Sequence, residues 1–307
     1  MLNNNPNYSI LVAPGPEDMV LDTNGFGHRI LVSCDSRREN KESGWIYAID
    51  LKTDSTYEIN RTNEPQGLVF HPHGMDLVQL VDGTTHLYLV SHDDVKGEQA
   101  ILEYLVMGKT LRFLKEYTDA LLITPNDVCA TNQGAIFTGN EFHKRNALLP
   151  ALLGMKSGNI IRFSNEKWTV QSRGYCYANG VAVYGNTLLS VATRNRYLYA
   201  TLQNGTPTDP KEKWCKIPGG DNISVIGDKA YIACHVSLIR FIKHAKNKAN
   251  TSPTVIYEVD LITHKRTLLY SNNSGLINGA STAIYYQGKL YLSQVFEPII
   301  LVVAPKK

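Results

Sequence analysis

The 307-residue sequence lacks the features that mark several large protein classes. Its five cysteines form no C-x-x-C pair, so nothing indicates a zinc knuckle or a dithiol redox site. The net charge is only +3 and the basic residues are scattered, so no basic stripe predicts a nucleic acid partner. No apolar run approaches the length of a transmembrane segment, and the first residues do not resemble a signal peptide. We therefore expect a soluble protein, either cytoplasmic or a mature secreted or periplasmic form without its signal.

The sequence instead contains a repeated pattern of strand-like segments. Trp45–Thr53 and Val255–Thr263 both alternate apolar and polar residues, end in a turn and lead into another strand. A second set of short β-rich runs recurs six times, at His28–Val32, Thr85–Ser91, Gly134–Thr138, Asn186–Ser190, Lys229–Ala233 and Gly288–Ser293. Repetition at a period of about 40–60 residues is typical of propellers. The pattern predicts an all-β fold in which residues 1–307 form one six-bladed β-propeller.

The two ends of the chain and one internal segment complete this prediction. Ile10–Val12 and Ile299–Val303 are both strand-like, and their pairing in one blade would close the ring without exposed edges. Asn146–Met155 is rich in alanine and leucine and predicts one short surface helix, with Pro150 in its first turn or breaking it. This helix would either pack on the protein or cover the mouth of a site.

Oxygen-bearing side chains precede four of the six runs, where innermost strands would enter a central tunnel. They are Glu17 and Asp18, Asn126 and Asp127, Asn179, and Asp221 and Asn222. Carboxylate and amide oxygens are the ligands that calcium prefers, usually six to eight of them. Such residues also cap turns, which is the more common reason for any one pair. Four occurrences at equivalent points of a repeat favour convergence on the axis, and thus a calcium site in the tunnel.

Two histidines fall at related positions. His73 lies in Phe70-His-Pro-His-Gly74, and His92 ends the strand-like run that follows. A lone histidine is usually structural, but two histidines beside a metal can activate water and move protons near neutral pH. Calcium lowers the pKa of bound water less than zinc does, so a separate general base is useful in a calcium hydrolase.

These residues belong to a series of motifs that resembles the paraoxonase (serum paraoxonase/arylesterase) family over nearly the whole chain. The motifs occur in the family's order: Gly15-Pro-Glu-Asp18, Phe70-His-Pro-His-Gly74, Val90-Ser-His92, Pro125-Asn-Asp-Val128, Thr138-Gly-Asn140 with His143, Ala178-Asn-Gly180, Asp221-Asn-Ile-Ser224, Ala233-Cys-His235 and Gly288-Lys-Leu290. Any one motif is weak, but the ordered set is specific.

The resemblance implies a six-bladed propeller with two calcium ions in its tunnel. The positions matching the catalytic calcium ligands are Glu17, Asn126, Asn179, Asp221 and Asn222, and those matching the structural calcium ligands are Asp18, Asp127 and the main-chain carbonyl of Met75. The family's general base falls on His73 and its proton-relay partner on His92. His143 and His235 match further tunnel or wall histidines.

The activity implied is the hydrolysis of lactones, with aryl esters and phosphotriesters as side substrates. Calcium would polarise the carbonyl while His73 deprotonates a water; in an alternative mechanism Asp221 attacks as a covalent nucleophile. Long-chain acyl-homoserine lactones become candidate substrates if residues 148–155 cover an apolar mouth. The sequence leaves the oligomeric state open.

Two departures from the family pattern bear on substrate preference. Ser36–Ser43 is strongly charged where family members shape the substrate mouth, and Glu297 stands where a histidine is often found. Competing interpretations are a gluconolactonase-like or diisopropyl-fluorophosphatase-like calcium propeller, and a binding propeller without catalytic activity. The two histidines argue against all three.

Overall fold

A computed structural model describes residues 7–24, 27–39, 43–93, 97–142, 153–273 and 275–305. These residues form six antiparallel sheets and one helix. The first sheet contains β2 (Pro16–Asp22), β3 (Arg29–Cys34), β4 (Trp45–Asp50) and β5 (Thr56–Glu58). The second contains β7 (Pro72–Gln79), β8 (Thr85–Asp93), β9 (Glu98–Met107) and β10 (Thr110–Tyr117), with β6 (Asn60–Thr62) parallel to β10 at its edge. The third contains β11 (Pro125–Ala130), β12 (Ile136–Asn140), β13 (Gly158–Ser164) and β14 (Lys167–Tyr175).

The remaining three sheets follow the same order. The fourth contains β15 (Ala178–Tyr184), β16 (Thr187–Ala192), β17 (Tyr197–Leu202) and β18 (Glu212–Lys216). The fifth contains β19 (Gly220–Ile226), β20 (Lys229–Cys234), β21 (Thr254–Asp260) and β22 (Arg266–Asn272). The sixth contains β23 (Ala280–Tyr286), β24 (Lys289–Gln294), β25 (Ile299–Val303) and β1 (Tyr8–Leu11). The predicted six-bladed β-propeller is confirmed, and each of the six predicted runs lies in the second strand of a sheet.

The sixth sheet joins the two ends of the described chain. β1 pairs antiparallel with β25, with Tyr8 opposite Val302 and Leu11 opposite Ile299. Ile10 and Ile300 pack in one core cluster with Ile30 of the first sheet. The predicted closure is therefore confirmed, and the apolar faces of adjacent sheets bury one another around the ring.

The innermost strands are β2, β7, β11, β15, β19 and β23, each of which contacts its two neighbours around the axis. The register of every one of them shifts within its first four residues. Such a β-bulge turns side chains out of the normal alternation and is common next to active sites. The second position of these strands holds Glu17, His73, Asn126, Asn179, Asp221 and Ser281, and the third holds Asp18, Gly74, Asp127, Gly180, Asn222 and Thr282. One repeated backbone irregularity thus positions all six sets of side chains.

The single helix in the described part of the chain is α1 (Leu238–Lys246). Ser237 caps its N-terminus by accepting a hydrogen bond from the Arg240 amide, and its last turn is basic, as the helix dipole favours. The sequence analysis missed this helix, although Ser237 followed by an amphipathic segment is a recognisable signal. Most of the predicted helix at Asn146–Met155, and His143, lie outside the described residues. No helix among the described residues has both the length and the apolarity needed to cross a bilayer.

We expect Ile10→Ala to lower the free energy of unfolding by about 2–5 kcal/mol, because this β1 side chain is buried in the closing sheet. Leu11→Ala is the matched control: Leu11 is the next residue of the strand but is 67% exposed, so its change should stay within about 0.5 kcal/mol. Urea unfolding followed by tryptophan fluorescence measures both. Equal losses in the two variants would contradict this account of the closure.

We expect Gly180→Ala to destabilise the inner ring by about 3 kcal/mol or more, because an added Cβ would lie 2.2 Å from the Asp221 carbonyl oxygen. Gly185→Ala in the turn after the same strand has open space and only an unfavourable positive φ, worth about 1–2 kcal/mol. Thermal melting of the two variants compares the effect of steric crowding with that of backbone strain. A smaller loss of melting temperature in Gly180→Ala than in Gly185→Ala would refute the close packing of the innermost strands.

Candidate functional site

A cavity of about 270 Å³ lies at the end of the tunnel where the innermost strands begin. Its lining includes six of the predicted site residues: Glu17, His73, His92, Asn126, Asn179 and Asp221. Asn222 is buried and lines neither this cavity nor the next, and the remaining predicted residues, Asp18, Met75 and Asp127, line a second cavity of about 630 Å³ towards the other end of the tunnel. The structure therefore separates the predicted residues into two groups at different depths of the tunnel. We call the residues around the 270 Å³ cavity the upper group and those around the 630 Å³ cavity the lower group.

Glu17 and His73 form a buried pair in the upper group. Glu17 Oε1 lies 3.0 Å from His73 Nε2, and His73 Nδ1–H donates to the main-chain carbonyl of Asn126 at 2.8 Å. Burial lowers the pKa of His73, but the charge of Glu17 and its hydrogen bond together outweigh burial and leave that pKa raised. Burial raises the pKa of Glu17, but His73 and Arg37 together hold it well below its usual range. Glu17 is thus ionised, and its charge strengthens His73 as a base.

His92 has the opposite electrostatic environment. Its ring stacks on that of His73 with 4.7 Å between centroids, and its Nε2–H donates to the Pro125 carbonyl at 2.9 Å. Burial and then the positive charge of His73 lower its pKa well below the usual value. The two histidines therefore divide into one that gains a proton readily and one that stays neutral.

Asp221 is held on the other side of the cavity. Its Oδ1 accepts a hydrogen bond from Asn179 Nδ2, and its Oδ2 accepts from Ser281 Oγ at 2.8 Å. His235 Nε2 also lies 2.8 Å from Oδ2. Gly220 pairs with Cys234 in the antiparallel β19–β20 ladder, and the His235 amide donates to the Gly219 carbonyl at 2.7 Å, so the backbone holds His235 beside the start of β19. Both carboxylate oxygens are therefore engaged by neighbouring strands.

Two amide oxygens among the predicted calcium ligands have no hydrogen-bond partner. Asn179 Oδ1 and Asn222 Oδ1 are buried, while their amide nitrogens donate, to Thr193 Oγ1 at 3.2 Å and to Thr282 Oγ1 at 3.0 Å respectively. A buried carbonyl without a partner costs about 1–3 kcal/mol, and a hard cation would satisfy it. No group of three or more His, Cys, Asp or Glu side chains forms a metal site in the described ranges, because this donor set is largely asparagine. The residues fit calcium better than zinc.

The lower group links neighbouring innermost strands. Asp18 on β2 accepts hydrogen bonds from the Met75 amide at 2.7 Å and from Thr282 Oγ1 at 2.5 Å. Asp127 on β11 accepts from the Val181 amide at 2.8 Å. Burial raises the pKa of Asp18 to about 7, and burial together with the charge of Asp18 raises that of Asp127 well above its usual value. A cation near these carboxyls would reverse both shifts.

Several residues in the cavity were not predicted from the sequence. Arg37 forms an ion pair with Glu17 at 2.6 Å, and Asn126 Nδ2 donates to Glu141 Oε1 at 2.6 Å. Burial raises the pKa of Glu141 to about 7. Glu141 directly follows the Thr138-Gly-Asn140 motif and Tyr177 directly precedes Ala178-Asn-Gly180, so motif flanks were the available signal. Phe241 on α1 and Phe296 add an apolar wall.

Comparison with known proteins shows the family and the fold. The sequence profile of the Arylesterase family matches residues 37–301. Mouse serum paraoxonase/arylesterase 1 is 25% identical over 237 residues, covering 74% of this chain and 66% of that protein. Human serum paraoxonase/lactonase 3 is 24% identical over 273 residues, covering 83% of this chain and 75% of that protein. The chain thus matches just under two thirds of the length of its mouse relative.

A solved structure shares the architecture. The calcium-binding protein regucalcin from Agrobacterium tumefaciens superposes with a TM-score of 0.59, covering 96% of this chain and 91% of that chain, at 12% identity. At this identity the likeness concerns the fold alone. The profile match over most of the sequence, together with the propeller, shows that the chain belongs to the arylesterase family.

Proposed function

We propose that the protein is a calcium-dependent hydrolase of lactones that also accepts aryl esters and phosphotriesters. The observation that carries this proposal is the pair of buried amide oxygens without a hydrogen-bond partner, Asn179 Oδ1 and Asn222 Oδ1, of which Asn179 also contacts the Asp221 carboxylate. Membership of a family whose relatives include paraoxonases, arylesterases and a lactonase supports the reaction class.

Two calcium ions would be held at the two depths of the tunnel. Glu17, Asn126, Asn179, Asp221 and Asn222 would hold the catalytic ion, and Asp18, Asp127 and the Met75 carbonyl would hold the structural one. A bound calcium ion polarises an ester carbonyl and stabilises the oxyanion that develops. The contacts of Asp18 and Asp127 with other innermost strands support a structural role for the lower group.

His73 is the proposed general base. The Asn126 carbonyl accepts from Nδ1–H and so fixes the tautomer in which Nε2 can take a proton from water. Glu17 Oε1, 3.0 Å from Nε2, stabilises the imidazolium that results. His92, stacked on His73 and neutral, is the proposed partner in moving that proton onward.

The contacts of Asp221 favour this mechanism over covalent attack by the carboxylate. Both of its oxygens accept hydrogen bonds, from Asn179 on one side and Ser281 on the other, and hydrogen bonding reduces the nucleophilicity of a carboxylate. The apolar wall of Leu238, Phe241 and Phe296 favours apolar or acyl lactones over the hydroxyl-rich lactones of sugars.

We expect lactone hydrolysis by the purified protein to be abolished by EGTA and restored by added calcium. Removal of calcium leaves the polarising charge absent and the amide oxygens unsatisfied. Initial rates with an apolar lactone measure this, and magnesium add-back is the control for ion selectivity. Full activity in EGTA would exclude the proposed mechanism.

Two substitutions should separate metal binding from base catalysis. We expect His73→Gln to lower kcat by about 100-fold or more while the protein still binds calcium, because it removes the general base. Asp221→Ala should lose calcium affinity and activity together, since it removes a proposed ligand. Steady-state kinetics and calorimetric calcium titration are the measurements.

His264→Gln is the matched control, since His264 stacks on Trp214 outside the cavity and should leave both quantities unchanged. A wild-type protein that is folded and calcium-loaded but hydrolyses no lactone, aryl ester or phosphotriester would support the binding-propeller interpretation instead.

A further inference from the structure

Arg37 places a permanent positive charge against the carboxylate of Glu17. Its Nη2 and Nε both donate to Glu17 Oε2, at 2.6 and 3.0 Å, and Nη2 also donates to the Pro72 carbonyl at 2.9 Å. The side chain is 18% exposed and lines the cavity. In this low-polarity setting the ion pair is stronger than a surface pair, and a guanidinium does not lose its proton.

Glu17 therefore differs from the other proposed ligands of the upper calcium. Its Oε2 is held by the Arg37 guanidinium and its Oε1 lies 3.0 Å from His73 Nε2, so both oxygens are already engaged by neighbouring side chains. Asn179 Oδ1 and Asn222 Oδ1 have no hydrogen-bond partner at all. A cation entering the site would find the amide oxygens unused and the carboxylate already neutralised.

The position of Arg37 is fixed by a second carboxylate. Arg37 Nη1 donates to Asp35 Oδ2 at 2.7 Å, and Asp35 Oδ1 lies 3.2 Å from His71 Nδ1. Asp35 is in turn held against the segment before Glu17: its amide donates to the Gly15 carbonyl at 3.1 Å. A Cβ on Gly15 would lie 1.7 Å from the Asp35 carbonyl oxygen, so only glycine permits this approach. The backbone contact between Gly15 and Asp35 thus fixes the position of Asp35, which in turn holds Arg37 beside Glu17.

We propose that Arg37 is a positioning residue that serves as a built-in counter-charge for Glu17. It orients the carboxylate before any metal binds, and a divalent cation must share Glu17 with it. Arg37 consequently weakens calcium binding at the upper site and makes the fold less dependent on that ion. This inference rests on the calcium site of the proposed function and goes beyond it.

Arg37→Met tests the proposal without an activity assay. We expect the variant to bind calcium at least about threefold more tightly, because the repulsion between two cations at one carboxylate is lost. We also expect its melting temperature in EGTA to fall, because Glu17 and Asp35 lose their shared partner, and its melting temperature to rise more on calcium addition than that of the wild type. Calorimetric titration and thermal melting give the two readouts.

Arg61→Met is the matched control. Arg61 is 19% exposed, pairs with Glu64 and covers the ring of Phe70, but it does not line the cavity. Its loss should lower stability without changing calcium affinity. If Arg37→Met also leaves calcium affinity unchanged, Arg37 has only a structural role and the proposal is overturned.

Asp35→Asn gives a result of opposite sign and remains informative if Arg37→Met does not fold. It removes a negative charge next to the guanidinium and leaves more of that positive charge uncompensated beside Glu17, so calcium should bind more weakly than in the wild type. A structural role alone would shift calcium affinity in the same direction in both variants, which would overturn the proposal. Arg37→Lys keeps the charge and should retain near wild-type calcium affinity; affinity equal to that of Arg37→Met would also overturn it.

The two proposals fail in distinguishable ways. Calcium binding that is present but unchanged in Arg37→Met would overturn the role of Arg37 and leave the proposed function intact. If neither the wild type nor Arg37→Met binds calcium, both the calcium site and the role of Arg37 are refuted. If only Arg37→Met binds calcium, the result supports Arg37 as a counter-charge directly.

Discussion

The close approach of six bulged innermost strands around one axis is the constraint on which the rest of the structure depends. The backbones come so near that a Cβ on Gly74 would lie 2.4 Å from the Cα of Asp127, and one on Gly180 would overlap Asp221. At this spacing a carboxylate on one strand reaches the amides of the next, as Asp18 and Asp127 do. The second residues of five of these bulged strands line the cavity at the tunnel mouth, so the geometry that closes the ring also positions the candidate site.

The two carboxylates of the upper site, Glu17 and Asp221, have different neighbours that compensate their charge. On one side, Glu17 is surrounded by His73 and Arg37, which keep it ionised despite complete burial. On the other side, Asp221 is held by His235, Ser281 and Asn179, while neighbouring amide oxygens have no partner. In the lower group, burial and mutual repulsion favour protonated carboxyls. The two depths of the tunnel therefore differ in their electrostatics, and the two calcium ions that we propose would meet different surroundings at each.

The propeller could be predicted because its signal is repetitive: six β-rich runs, turns at regular spacing and apolar strands at both ends. Ordered motifs also identified the family and predicted ten site positions, from Glu17 to Asn222, of which nine line the two cavities of the tunnel and Asn222 is buried. Arg37, Glu141 and Ser281 were missed because each reaches the site from outside a motif. Helix α1 was missed because its short amphipathic segment follows Cys234-His235 within a β-rich region, although Ser237 marked its start.

The sequence by itself determined the number of blades, the closing strands and the chemical types of side chain at the head of five of the six innermost strands, because these are periodic properties of the chain. Only the tertiary structure decided which charges meet. Glu17 contacts Arg37, 20 residues away, and His73, 56 residues away, through loop and blade packing that no local pattern encodes. It likewise decided that Asn179 and Asn222 keep free oxygens, since hydrogen-bond satisfaction depends on every neighbour in space and not on residue type.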